Sequence, residues 1–291
     1  MEIALHLGAH LTDETQLRDC LQANRSTLAQ QGVMIPRARS YLNMIIEAAN
    51  HIASGHGAPD ALNRILQATD TPADARRIVF SAPGLLSKLP DAMDGTRFYP
   101  GAERRLAALR HIFAGQDVEI FIAIRNPASF VPAYLTASRV QEKGGSGADI
   151  VSENLRWSEL VGDIRRVWPE AKVTVWCDED TPFIWHRLLR LVSGVEPEQE
   201  FSASFEWFKS VMVDGGAEKL AAYLDRSPPV DEAHRQRVIS VFLDKFCDED
   251  KLGIDVSVTG WDEMRVDVLS ELYEEDTDTI SSLDGVTLLQ P

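Results

Sequence analysis

Basic residues are scarce in this chain: 29 lysines and arginines face 45 aspartates and glutamates, for a net charge of −16 over 291 residues. A surface of that sign repels DNA, RNA and anionic lipid, which are held by cations that neutralise phosphates. It does not exclude a small anionic ligand, for which a few local donors suffice. Cysteine is scarcer still. Cys20, Cys177 and Cys247 are odd in number and lack CxxC spacing, so neither a disulfide framework nor a zinc site is expected. Reduced thiols suit a cytoplasmic protein. The amino terminus has no basic leader ahead of a long apolar stretch, and no run approaches the roughly 20 apolar residues of a membrane helix. The expected compartment is therefore the cytoplasm, without membrane insertion. Internal repeats and low-complexity tracts are also missing.

What is present is ordinary globular material, 44% hydrophobic and 25% charged, enough for a real core. Ile3-Ala4-Leu5-His6-Leu7 reads as a buried strand stopped by Gly8, and a helix follows with Leu17, Leu21 and Leu28 on one face. Gly32 ends it, and Val33 to Pro36 reads as extended. Residues 41–68 have helical spacing with a break at Ser54-Gly55-His56-Gly57. Strands are expected at 78–81, 118–124 and 173–176, and helices at 100–113, 157–167 and 182–192. Strands alternating with helices imply a parallel sheet covered on both faces. Beyond about 198 the strand signal fades, and 216–225, 231–247 and 261–275 read as amphipathic helices. The organisation expected is one domain over 1–291, with an α/β core over 1–195 and a mostly helical region over 196–291. Lys143 to Gly147 reads as a linker, and the acidic runs Asp248-Glu249-Asp250 and Glu274-Glu275-Asp276 as solvated surface.

In a doubly wound sheet an anion sits beyond the strands' carboxyl ends, on the amino terminus of the next helix. The segment from Leu5 to Leu17 occupies that position. It does not match GxxxxGK[ST], which argues against ATP or GTP hydrolysis. It resembles the 5′-phosphosulfate loop of bacterial sulfotransferases, roughly LHIGxxKTGTTxLQ, with Leu5, His6, Gly8, Thr12, Thr15 and Leu17 on matching positions. Leu21-Gln22-Ala23-Asn24-Arg25, Leu28, Gly32-Val33 and Pro36 are similar to that family's next helix and extended segment. The resemblance implies a P-loop NTPase-like three-layer α/β/α fold with a parallel central sheet. It also implies 3′-phosphoadenosine 5′-phosphosulfate (PAPS) as the cofactor, a sulfuryl group passing to a hydroxyl or amine, and Gly8, Ala9, Thr12 and Thr15 around the 5′ end. A small-molecule or carbohydrate acceptor is the expected partner; self-association is left open.

The loop also departs from the pattern. The family's lysine is Leu11, its glycine is Asp13, and the first threonine of its pair is Glu14. At ~4 Å and an effective dielectric near 20, one carboxylate facing an anion costs on the order of 4 kcal/mol. His10 is the residue able to stand in as cation or acid, since imidazole titrates near neutral pH. His10 and Glu14 are therefore the candidate catalytic groups, and a transferase without activity, kept as a binding or assembly module, is the alternative function.

The strand at 118–124 runs into Arg125-Asn126-Pro127, which resembles the family's 3′-phosphate element. Arg125 is the candidate phosphate ligand, because a guanidinium at a strand's carboxyl end can bind bidentately. The matching serine position is Ala133, with Ser129 and Ser138 nearby but out of register. The similarity continues through Trp157-Ser158-Glu159-Leu160, Val173 to Asp180, and Tyr273 to Pro291. Other candidates are plainer. His51 and His56 flank a glycine-rich break and are open to a general-base role. His111, His186 and His234 lie in helical patterns and read as structural. Asp178-Glu179-Asp180 reads as an acidic helix start rather than a metal site. Trp176, Trp185 and Trp207 read as core.

Overall fold

The structure is a computed structural model that describes residues 1–12, 14–137, 152–196, 199–248, 251 and 261–291, and for Glu14 the backbone alone. The 143–147 segment, Ser138, Asp13, Glu249 and Asp250 lie outside the described residues.

Five of the strands are β1 (Glu2–His6), β2 (Val33–Met34), β3 (Arg77–Ser81), β4 (Asp117–Ile124) and β5 (Lys172–Cys177). With β6 (Val286–Leu289) they form a 6-stranded sheet in the order β2-β3-β1-β4-β5-β6. Every pairing is parallel. β1 is central, so both of its faces are covered and it carries almost no polarity. Ile3 and Leu5 project into one core, Ala4 into the other.

Helices cover both faces. On the first lie α3 (Ala38–Ala53), α4 (Ala61–Ala68), α5 (Ala102–Ile112), α6 (Pro127–Thr136), α7 (Trp157–Val167) and α11 (Glu263–Ser281). On the second lie α1 (Glu14–Ala23), α2 (Arg25–Gln30), α8 (Thr181–Ser193), α9 (Gly216–Arg226) and α10 (Glu232–Phe246). The result is a three-layer α/β/α fold with β1 at the position a phosphate loop leaves in P-loop-like proteins.

The expected first helix is two. Asn24, buried at the break, donates through Nδ2 to the carbonyls of Cys20 and Ser202, both at 2.8 Å, and accepts from the Ser202 N–H at 2.8 Å. An amide that bonds backbone this way competes with the helix ladder and ends α1. The second difference is β6, in a region read as mostly helical. Its four residues pair with β5 from Val173↔Val286 to Trp176↔Leu289. So short a run follows a long helix and carries little periodicity, so only its neighbour β5 defines it as a strand.

Two polar groups fix the frame. At the strands' amino ends Arg77, 2% exposed, bonds Glu2 at 2.9 Å, Glu119 at 2.6 Å and the Val192 carbonyl at 3.0 Å. It thereby ties β1, β3 and β4 to the end of α8. At α7, Asp276 accepts the Trp157 N–H at 2.6 Å, the Ser158 N–H and the Ser158 hydroxyl. Asp276 belongs to an acidic run read as solvated surface, yet it is 3% exposed. It serves as an N-cap supplied from a distant helix.

Candidate functional site

The site is the loop joining β1 to α1, seated against the ends of β3 and β4. β1's pairing with β4 does not stop at His6. The Leu7 N–H donates to Phe121 O and the Ala9 N–H to Ala123 O, each at 2.9 Å, and the Ala123 N–H returns to Gly8 O at 2.6 Å. Gly8 sits at φ +101°, and a Cβ there would lie 2.8 Å from Pro83 Cβ. Only glycine lets the loop pass the turn after β3 this closely.

The loop then meets an aromatic wall. The His10 N–H donates to the Tyr99 hydroxyl at 2.8 Å, the same hydroxyl shares a 2.8 Å bond with His10 Nδ1, and the two rings stack. Phe98 stacks on Trp157 with ring centres 3.8 Å apart, and the Trp157 indole N–H donates to the Arg125 carbonyl at 2.7 Å. Thr12 Oγ1 donates to Ala9 O at 2.9 Å, which closes the turn on itself. Leu11 adopts φ 62°, and its side chain packs on the core. Its carbonyl accepts Arg125 Nη1 at 2.6 Å. Arg125 Nε is also engaged, donating to Ser129 Oγ at 2.9 Å. Thr15 is exposed on the first turn of α1.

The structure thus brings Gly8, Ala9, His10, Thr12 and Arg125 together around one turn. Arg125 faces inward, and Ser129, out of register by sequence, is its partner. Tyr99 was missed at this end, and His6, read as part of the strand and of the loop match, was given no role of its own. His6 is fully buried, shares a 2.8 Å bond with Ser81 Oγ, stacks on Trp176, and leaves Nε2 without a hydrogen-bond partner among the described residues. Burial, helped by the charge of Arg18, lowers its pKa to about 3, so the ring is neutral. A histidine inside an otherwise apolar central strand was the available signal. Tyr99 gives none, because it is 89 residues from its partner His10.

The described residues do not fit a phosphosulfate. The loop's cation position is an apolar side chain turned into the core. Arg125 spends two of its three nitrogens on Ser129 and on the loop's own carbonyl, and keeps only Nη2 outside such bonds. The amides of Ala9 and His10 donate within the protein. That leaves the loop a positive charge short of what a dianionic group would require.

The other candidates are dispersed. His51 and His56 have ring centres 6.3 Å apart, and His51 lines a separate cavity of about 340 Å³ between α3 and α4. Glu179 accepts the Asn126 N–H at 2.8 Å and the Tyr273 hydroxyl at 3.2 Å, which gives it a positioning task. Among the described residues no group of three His, Cys, Asp or Glu could hold a metal ion. No helix there is long and apolar enough to cross a membrane. Burial pushes the thiols of Cys20 and Cys177 up to about 12, so neither is a thiolate at neutral pH.

No family model and no curated protein matches the chain. Among solved structures, it is similar to a sulfotransferase from Alicyclobacillus acidocaldarius at 15% identity, with 82% of this chain and 97% of that chain covered and a TM-score of 0.40. At that similarity the match carries no argument about what this chain does.

Proposed function

We propose that this chain is a sulfotransferase-like protein that does not transfer sulfuryl groups and acts instead as a binding or assembly module. The bond from Arg125 Nη1 to Leu11 O carries the reading. It turns the Arg125 guanidinium back onto the loop's own carbonyl, in the region where a donor's anion would need it. Leu11 in place of a lysine, and Tyr99 bonded to both the N–H and the ring of His10, support the same conclusion.

The test is a titration with 3′-phosphoadenosine 5′-phosphate, the product common to PAPS-dependent transfer. At about 1 mM, where a site with a millimolar Kd is half filled, neither heat nor a melting shift is expected. Binding tighter than about 100 μM that is lost in Arg125→Ala would overturn the proposal. Leu11→Lys supplies the missing cation. If this variant gains nucleotide binding, the loop is a former donor site that lost its charge.

A further inference from the structure

A second site is built from cations, in a protein that has few. Two adjoining cavities of about 510 and 490 Å³ share Arg25, Arg37 and Arg39 on their walls. They form one groove across α1, the start of α2, the segment after β2 and the first turn of α3. Several arginines of this chain are neutralised: Arg76, Arg77, Arg97, Arg110 and Arg166 each reach a carboxylate. By contrast, the guanidiniums of Arg25, Arg37 and Arg39 make no hydrogen bond and no ion pair among the described residues. Arg18 adds a fourth charge on the wall, steadied by Asp19 at 3.1 Å.

The frame that holds these charges is fixed. Gln22 Nε2 donates to the carbonyls of Ile35 and Pro36 at 2.9 and 3.0 Å, which pins the segment bearing Arg37 to α1. Arg37 is the N-cap residue of α3, a helix with no acidic residue in its first turn. The positive end of a 16-residue helix therefore faces the same groove. Like charges gathered on a rigid frame repel one another, and a multivalent anion relieves that repulsion.

The rest of the lining narrows the ligand. Ser26 offers a hydroxyl, whereas those of Ser40 and Thr69 donate to backbone carbonyls; Met34, Ile35 and Pro36 form a small apolar floor, and Asp70 is the one carboxylate on the wall of the first cavity among the described residues. Among the described residues no aromatic ring lines either cavity, and so none offers a platform on which a nucleobase would stack. We propose that this groove recognises an anionic sugar, a mono- or oligosaccharide carrying phosphate or sulfate esters. This site does not involve the first loop and stands whether or not that loop binds a nucleotide.

Two probes separate the sources of ester: fructose 1,6-bisphosphate and a fully sulfated heparin tetrasaccharide, with cellotetraose as the uncharged control. Calorimetric titration should detect one of the two esters and not cellotetraose. The affinity should fall about tenfold or more between roughly 20 and 200 mM NaCl, because the contacts are exposed charges. The double variant Arg37→Gln/Arg39→Gln should weaken binding at least about tenfold with an unchanged melting temperature, both side chains being exposed and unpaired. The probe that binds identifies the ester. Binding by neither ester, equal binding by cellotetraose, or a double variant that binds like the parent overturns the proposal. The 3′-phosphoadenosine 5′-phosphate titration reads the first loop separately, so the two proposals fail independently.

Discussion

His6 and His186 are imidazoles sealed from water, and both resist protonation. Burial lowers each pKa from 6.5 to about 3, helped at His186 by the charges of Arg235 and Arg190. The unfolded chain takes up these protons below pH 6.5, whereas the native protein refuses them until about pH 3. Stability is therefore full above the unfolded value and is lost as pH falls through the interval. At pH 5 each ring costs about 2 kcal/mol. Urea denaturation at pH 7 and pH 5 should reveal this loss, and His186→Leu should remove about half of the difference. An unchanged difference in that variant would show that the acid sensitivity lies elsewhere. At this scale the sequence was legible where a residue acts locally. Gly8, read as the end of the strand, is the position where no Cβ fits. Arg125 was correctly placed at the end of β4, but its orientation was not legible, because the carbonyl that captures it is 114 residues away.

At the scale of elements, most of the helices followed from spacing, and the exceptions have physical causes. Asn24 breaks a helix because its side-chain amide finds backbone partners in a distant loop. Asp276 looked like solvated acid within a run of three. Its spacing from the buried Leu269, Tyr273 and Ile280 puts it on the inward face of α11, a signal in the 3.6-residue period that composition alone hides. It then caps α7 across the fold. Burial raises its pKa above the ordinary carboxylate value, and the bonds from Ser158 and Trp157 offset that rise only in part. Asp276→Ala leaves two buried amides of α7 unpaired and should cost about 2–3 kcal/mol. Asp276→Asn, which keeps an acceptor, should cost less. Thermal melts of both variants check the order, and an alanine variant as stable as the parent would show that the cap contributes little.

At the scale of the molecule, alternating strands and helices implied the parallel sheet, and its two covered faces follow from the apolar character of β1 and β4. The outer strand β6 did not follow, since four residues become a strand only through the partner they meet. That partner needs them. β5 would otherwise present an apolar edge with unpaired backbone groups, a template for aggregation. A chain ending at Gly285 should lose about 3 kcal/mol or more and become prone to association, measured by urea denaturation and light scattering. A truncated chain that stays monomeric with its parent's stability would make β6 an ornament of the sheet.

The lateness of β6 and of the Asp276 cap has a consequence for biosynthesis. About a hundred residues separate Cys177 from Val286, so at roughly 5–20 residues per second the ribosome releases β5 many seconds before its neighbour. During that interval α7 also waits for its cap. The nascent chain must therefore carry an open sheet edge through much of its synthesis, which makes the stretch between α8 and β6 a window in which a chaperone has something to hold.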